Sequence, residues 1–166
     1  TIPAESTYLH RPDLLASIHN NFTERNDIQT IALIGLAGAG KTTLARQYSR
    51  DHKNLIAWEM NCETKESIKN SFEKLAKNLA ISEAAKEELK RIQDLKSSTE
   101  KEEKILHFVR SQLKSHAHWL LLFDNVEDFS VLQPYFPHDS ALWGKGKIIL
   151  TTRDSKVLNN IHVSHV

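Results

Sequence analysis

The chain has 166 residues, of which 40% are hydrophobic and 26% are charged, a composition typical of a globular domain with a buried core. Its formal net charge of +1 gives no electrostatic indication of nucleic acid or an acidic membrane surface as a partner. The single cysteine, Cys62, excludes an internal disulfide and fits a reducing, cytoplasmic compartment, and no apolar run is long enough to cross a membrane.

The first part of the chain predicts one helix and one strand. Residues 12–18 have the pattern of an amphipathic helix, and a polar segment at 20–27 ends it. The apolar face of this helix carries Leu14, Leu15 and Ile18. The apolar residues at 31–34 then predict a buried strand.

A glycine-rich loop follows this strand and leads into a helix-forming stretch. Residues 35–42, GLAGAGKT, fit the pattern G-x-x-x-x-G-K-[ST]. In this pattern the backbone N–H groups of the loop and the helix N-terminus surround phosphates. Lys41 is expected to reach the outer phosphates, and the Thr42 hydroxyl is expected to bind Mg²⁺. The predicted phosphate-binding residues are Gly38, Ala39, Gly40, Lys41, Thr42 and Thr43.

Helices dominate the middle of the chain. A second strand is expected at 54–60, followed by a helix that Thr64 caps and a charged helix that begins after Ser82. Thr99 and Glu102 have the spacing of a capping box in front of a third helix. The side chains expected to be buried on these helices are Ile68, Phe72, Leu75, Ala76 and Leu79, then Ala85, Leu89 and Ile92, then Leu106, Val109 and Leu113.

Two apolar strands with polar ends are predicted in the last third. Residues 119–123, WLLLF, are typical of a strand covered on both faces, and Asp124 ends the run. A connecting segment at 131–137 and a turn marked by Gly144 and Gly146 lead to a strand at 147–152, which Arg153 follows. A further helix is expected at 154–160. The alternation of strands and helices predicts a doubly wound parallel α/β sheet.

Asp124 and Arg153 follow strands at the edge where open α/β sheets bind ligands. The Asp124 carboxylate is expected to hold Mg²⁺ or its bound water together with Thr42, and an acidic cap of the next turn is the alternative. The Arg153 guanidinium is expected to contact a terminal phosphate, and a surface ion pair with Asp154 or Glu127 is the alternative. The predicted catalytic residues are Lys41, Asp124 and Arg153.

Other chemically capable side chains are given structural roles. Trp58, Trp119 and Trp143 are predicted to pack in the core or against loops. Cys62 has no neighbouring histidine or basic pair, so a nucleophilic thiol is not expected. The histidines at 116 and 118 lack a third metal ligand at suitable spacing and are predicted to lie at the surface.

The order of three motifs, GLAGAGKTT, WLLLFDNVED and GKIILTTRD, resembles that of the NB-ARC domains in the STAND family of P-loop signalling ATPases. The resemblance covers nearly the whole chain. It implies the three-layer P-loop NTPase fold of the ASCE type, with a five-stranded parallel sheet whose Arg153 strand lies between the phosphate-loop strand and the Asp124 strand. Residues 9–11 resemble the hydrophobic-Gly-Arg motif beside the nucleotide base, so Arg11 is expected to bind the cofactor, with His10 in place of the glycine.

The resemblance implies a switch module that binds ATP or ADP with Mg²⁺. Nucleotide exchange is expected to change the conformation and to promote self-association or binding of an effector protein by the full-length chain, with no nucleic acid or membrane partner. Asn125 stands where many relatives carry a second acidic residue, so ATP hydrolysis is expected to be slow or negligible. Glu127 and Asp128 either substitute for that residue or are solvated loop acids.

Three other functions of the same loop stay open from the sequence: an active AAA+-like ATPase, a small-molecule kinase, and a scaffold that retains nucleotide without a cycle. The resemblance further implies that residues 1–166 form one nucleotide-binding domain of a longer protein. Helical and winged-helix subdomains are expected after Val166.

Overall fold

A computed structural model of the chain describes residues 16, 18, 28–35, 40–52, 56–116, 118–154, 156 and 164–165. Ala16 and Ile18 are helical, and Ile18 is fully buried, in agreement with the helix predicted there. Leu14 and Leu15 of the same predicted helix lie outside the described residues, as does most of the helix predicted at 154–160.

A parallel sheet forms the centre of the fold. Its strands are β1 (Ile28–Ile34), β2 (Ile56–Asn61), β3 (Trp119–Asp124), β4 (Gly146–Thr152) and β5 (Ser164–His165). The strand order is β2-β3-β4-β1-β5, and every pairing is parallel. Four strands of six or seven residues make up the sheet, and the fifth position, beside β1, is held by only the two residues of β5. The predicted place of β4, between β1 and β3, is confirmed.

Helices cover both faces of this sheet. They are α1 (Lys41–Asp51), α2 (Lys65–Leu79), α3 (Glu83–Gln93), α4 (Ser98–Lys114), α5 (Phe129–Leu132) and α6 (Ser140–Trp143), with a 3-10 turn at Gln133–Tyr135. Alternate residues of β3 point to opposite faces, as a strand requires. Leu120 and Leu122 belong to the core under α1, whereas Leu121 and Phe123 belong to a larger core under α2, α3 and α4. The result is a three-layer α/β arrangement.

Two of the three helix starts in the middle of the chain lie where they are predicted. The Thr64 side chain accepts from the Ser67 N–H in a reciprocal capping box, and the Ser82 side chain accepts from the Ala85 N–H. All the side chains predicted to be buried on α2 and α3 are buried. The caps and the apolar pattern in the local sequence therefore predict where these two helices lie and which face they bury.

The predicted start of α4 is wrong by about half a turn. Ser97 caps this helix, and its hydroxyl accepts from the Glu100 N–H. Thr99 is already helical, and Glu102 bonds to Lys69 of α2 over 2.6 Å instead of closing a capping box. The buried stripe also shifts: Val109 and Leu113 are buried as predicted, but Leu106 is only partly buried. The other buried side chains of this helix are Ile105 and Phe108.

Two further local predictions are corrected. The segment predicted as a connection at 131–137 contains the end of α5 and the 3-10 turn, because Asp128 caps α5 through the Ser130 N–H. Gly144 does form a turn with φ of 79°, but Gly146 is the first residue of β4. Gly146 lies directly opposite Trp119, whose indole occupies the space that a Cβ would need.

The tryptophan predictions are confirmed, because Trp119 and Trp143 belong to the larger core and Trp58 packs against it. Trp119 and Trp143 are buried, and the Trp119 Nε1–H donates to the Trp143 carbonyl oxygen over 2.9 Å. Trp58, on β2, is only half-buried. In the described part of the chain, no helix has the length and apolar character needed to cross a membrane.

Candidate functional site: a helix N-terminus and an aspartate at one edge of the sheet

The carboxyl ends of three strands and the N-terminus of α1 meet at one edge of the sheet. β1 ends at Ile34, and the Gly35 N–H donates to the carbonyl oxygen of Thr152, the last residue of β4. Gly40 precedes α1 in a left-handed conformation, with φ of 79° and ψ of 15°, which glycine adopts at little cost. Its carbonyl accepts the first helical hydrogen bond, from the Leu44 N–H. The strand predicted before the glycine-rich motif and the helix predicted after it are therefore present.

The predicted phosphate-binding residues fall into two groups. Gly40, Lys41, Thr42 and Thr43 are described and form the cap and the first turn of α1. Arg11, Gly38 and Ala39 lie outside the described residues. The Lys41 ammonium donates to the Gly35 carbonyl oxygen over 2.6 Å, which places its charge at the loop.

Thr42 and Asp124, separated by 82 residues along the chain, are in direct contact. The Thr42 hydroxyl donates to Asp124 Oδ1 over 2.6 Å and so joins α1 to the end of β3. Thr151, on β4, donates to the same oxygen over 2.7 Å. Each threonine uses its one hydroxyl proton in the hydrogen bond to this carboxylate. The lone pairs of each hydroxyl oxygen can still accept from, or coordinate, other partners.

Asn125 forms a turn directly after this aspartate and has a positive φ. Its φ of 61° lies in the left-handed region, which asparagine adopts more readily than most residues that have a side chain. Its N–H donates to the Thr151 hydroxyl over 2.8 Å, and the Val126 N–H donates to the Thr151 carbonyl. The turn is thus tied to β4 through Thr151, a residue that the sequence analysis did not single out.

Arg153 lies on the rim of the site and has an acidic partner. It donates to Glu127 over 3.1 Å, and both side chains are about half exposed, at 53% and 47%. This is the ion pair named as the alternative to a phosphate contact. Asp128 points to α5 instead: hydrogen bonds from Ser130 hold the pKa of its carboxyl below the usual value. Asp128 is therefore a helix cap.

These side chains surround an open cavity of about 550 Å³. Its lining includes Lys41, Thr42, Glu63, Asp124, Glu127 and Arg153. Glu63, in the loop after β2, is a second residue that the sequence analysis missed, because no short motif marks it. Knowledge that β2 neighbours β3 would have pointed to it, since the carboxyl ends of parallel neighbours share an edge.

Cys62 adjoins the site without taking part in it. Its N–H donates to the Asp124 carbonyl oxygen, and its side chain is only 5% exposed. Burial, and to a lesser degree the negative charge of Asp124, raise the pKa of the thiol far above its usual value. The thiol is therefore protonated and unreactive at neutral pH, which agrees with the prediction of no nucleophilic role.

A glycine-rich motif at a helix N-terminus, whose threonine contacts an aspartate at the end of another parallel strand of the same sheet, defines a P-loop type of nucleotide-binding domain. The NB-ARC domain family matches residues 11–166, so this chain belongs to that family. The resemblance noted from the three motifs is confirmed.

Known proteins that are similar to this chain agree with the family. Two Arabidopsis thaliana proteins whose names assign them to disease resistance are 31% and 29% identical to it over 144 residues. Each match covers 81% of this chain but only 14% of the relative, so the chain spans a small part of these curated relatives. The crystal structure of Cdc6p from Pyrobaculum aerophilum has a TM-score of 0.64 at 14% identity, over 97% of this chain and 43% of that one. At this identity the likeness shows the fold alone.

Proposed function

We propose that this domain binds ADP and ATP with Mg²⁺ and acts as the switch of a larger signalling protein. The observation that carries the proposal is the 2.6 Å hydrogen bond from the Thr42 hydroxyl to Asp124. Lys41, whose ammonium bonds to the Gly35 carbonyl oxygen, directly precedes Thr42 in the sequence. A hydroxyl, a carboxylate and an ammonium at the mouth of a glycine loop are the groups that a Mg²⁺-bound diphosphate or triphosphate needs.

The donor set suits Mg²⁺ by its chemistry. Magnesium prefers oxygen ligands and is commonly bound through one or two protein oxygens together with phosphates and water. Thr42 gives its proton to Asp124 and so keeps oxygen lone pairs for the ion. When bound, the ion would neutralise phosphate charge. Among the described residues, no group of three acidic, histidine or cysteine side chains is placed so that it could hold a metal ion.

The positive groups are proposed to bind the phosphates in sequence along the cofactor. The loop amides, from Gly38, Ala39 and Gly40 to Thr43, would hold the inner phosphates, and Lys41 would contact the outer ones. Arg153 would bind a γ-phosphate, for which it must leave Glu127. Arg11 would contact the base, as the family pattern implies. Arg153 would then contact ATP, which has a γ-phosphate, but not ADP, which lacks one.

Hydrolysis is proposed to be slow. Asn125 cannot act as a base, Asp128 is used in capping α5, and Glu127 is paired with Arg153. Glu63 is the remaining described acid in the cavity lining. A steady-state ATPase assay should give turnover well below about 1 s⁻¹. Turnover at or above that rate, lost on Glu127→Gln, would contradict slow hydrolysis and favour a working ATPase.

The switch role concerns the whole protein. A γ-phosphate that only one conformation can bind shifts the equilibrium by its difference in affinity, and about 5.5 kcal/mol moves a switch from mostly off to mostly on. By analogy with the names of its relatives, we propose that the full-length protein takes part in disease-resistance-type signalling through self-association or an effector protein.

The direct test is nucleotide binding by the full-length protein. Retained nucleotide is released by denaturation and identified by anion-exchange chromatography, and ADP binding with Mg²⁺ is measured by calorimetry. We expect bound ADP, lost on Lys41→Ala, with binding weakened about 10- to 100-fold or more because a charge-assisted contact disappears. Lys104→Ala, an exposed lysine of α4, is the control. Undiminished binding by Lys41→Ala would contradict the proposed phosphate contacts.

A further inference from the structure

A buried threonine connects the proposed metal site to the neighbouring strand. Thr151 donates to Asp124 Oδ1 over 2.7 Å and accepts from the Asn125 N–H over 2.8 Å. It is only 1% exposed. The direction of both bonds is settled, because a backbone N–H can only donate, so the hydroxyl proton goes to Asp124. The aspartate is thereby linked to the backbone of the residue that follows it.

The hydroxyl has no packing role that valine could not fill. Valine has the same shape, is favoured in strands, and avoids the desolvation of a buried hydroxyl. What Thr151 adds at this position is therefore its pair of hydrogen bonds. The two oxygens of the Asp124 carboxylate also have different partners. Thr42 and Thr151 both donate to Oδ1. None of the described residues donates to Oδ2, which leaves that oxygen for a metal ion or a metal-bound water.

We propose that Thr151 is a positioning residue for Mg²⁺: it holds the Asp124 carboxylate in one orientation, with Oδ1 toward the two threonines and Oδ2 available to the ion. This inference rests on the proposed nucleotide-binding function. Residues that orient a metal ligand without touching the metal typically change metal affinity about 10- to 100-fold. Because the hydrogen bonds of the Thr151 hydroxyl go to Asp124 and to the Asn125 N–H, it affects Mg²⁺ binding and leaves Mg²⁺-free nucleotide binding nearly unaltered.

The test separates these two equilibria in the full-length protein. ADP affinity is measured by calorimetry in EDTA, and Mg²⁺ is then titrated into the ADP-loaded protein. Thr151→Val is expected to lower Mg²⁺ affinity by about tenfold or more, with ADP affinity in EDTA within about twofold of the unaltered protein. Thr151→Ser, which keeps the hydroxyl, is expected to restore Mg²⁺ affinity. Thr151→Ala provides a second hydroxyl-free variant if the valine variant does not fold.

Thr152 is the matched control. It lies on the same strand and is equally buried, but its hydroxyl donates to the Val126 carbonyl instead of Asp124. Thr152→Val is expected to keep Mg²⁺ affinity. Wild-type Mg²⁺ affinity in Thr151→Val, or an equal loss in Thr152→Val, would overturn the inference. Failure of the underlying function looks different: the unaltered protein then shows no ADP binding in either condition, and the inference is lost with it.

Discussion

The Thr42 hydroxyl and Asp124 Oδ1 lie 2.6 Å apart, although α1 and β3 belong to different parts of the chain. The contact fixes the N-terminus of α1 against the end of the sheet. Because the one hydroxyl proton of Thr42 is used in this contact, the lone pairs of its oxygen stay available to a metal ion. The proposed Mg²⁺ ligand is therefore held in place without nucleotide, which lowers the entropy cost of ordering it when nucleotide binds.

Replacement of this hydroxyl should separate Mg²⁺ binding from phosphate binding. In Thr42→Val the shape is kept but the oxygen is removed, so we expect Mg²⁺ to strengthen ADP binding far less than in the unaltered protein, by at least about tenfold. ADP binding in EDTA should change little. Calorimetry with and without Mg²⁺ measures both. Thr99→Val, at an exposed position on α4, is the control, and an unchanged Mg²⁺ effect in Thr42→Val would refute the ligand assignment.

The ion pair between Arg153 and Glu127 should affect the choice between ATP and ADP. Glu127 competes with a γ-phosphate for the same guanidinium, and an exposed pair of this kind contributes about 0.2–1 kcal/mol. Glu127→Gln should therefore raise the affinity for ATP relative to ADP by about 1.5- to 5-fold. Competition binding with a non-hydrolysable ATP analogue measures the ratio. Glu88→Gln, at an exposed position on α3, is the control and should leave the ratio of the two affinities unaltered. A ratio that falls in Glu127→Gln would count against a phosphate contact by Arg153.

Features that depend on neighbouring residues were predictable from the sequence. The helix after the glycine motif, the cap at Thr64, the helix start after Ser82 and the buried run before Asp124 each follow from patterns within a few residues. The place of β4 between β1 and β3 came from the family resemblance and not from periodicity. Local chemistry and family pattern together therefore sufficed to predict the α/β class and the place of β4 in the sheet.

Features that depend on contacts across the sheet were not predictable. The predicted place of β4 did not identify Thr151, because strand order does not say which side chain of β4 bonds to Asp124. Glu63 was identified only once β2 was placed beside β3. The start of α4 was misplaced because Ser97 and Thr99 both precede a glutamate by three residues. The choice between them is settled by Glu102, which pairs with Lys69 on another helix. Pairings of this kind are absent from any short stretch of sequence.

Alkaline pH should destabilise the fold through Cys62. Burial raises the pKa of its thiol above the usual 9.0, so above pH 9 the unfolded chain releases a proton that the folded chain keeps. Stability is thus full below about pH 9 and falls by about 1.4 kcal/mol per pH unit above it. Tyr48, whose pKa burial raises from 10.0 to about 12, adds to this only above pH 10.

The window between pH 9 and 10 therefore isolates the cysteine. Urea unfolding at pH 8, 9 and 10 should show a steeper loss of stability in the unaltered protein than in Cys62→Ala. Tyr48→Phe, which keeps the thiol, should follow the unaltered protein until pH 10. Parallel loss in all three proteins would mean that the thiol does not remain protonated in the folded state.

Gly146 should tolerate no side chain, although general rules predict the opposite. Glycine inside a strand is unfavourable, and alanine normally stabilises such a position by about 0.5–1 kcal/mol. Here the Cβ would overlap the Trp119 indole, which is fully buried and bonded to the Trp143 carbonyl. Gly146→Ala should therefore destabilise the fold by about 1–3 kcal/mol, as overpacking does.

A double-mutant cycle identifies the cause of that destabilisation. In Trp119→Leu the indole is gone, so the added methyl of Gly146→Ala occupies space that is then empty. The two changes should be less than additive, with a coupling of about 0.5–3 kcal/mol. Urea unfolding followed by far-ultraviolet circular dichroism measures all four proteins without relying on tryptophan fluorescence. Additive losses, or stabilisation by Gly146→Ala alone, would show that the close approach of Gly146 to Trp119 does not limit this strand pair.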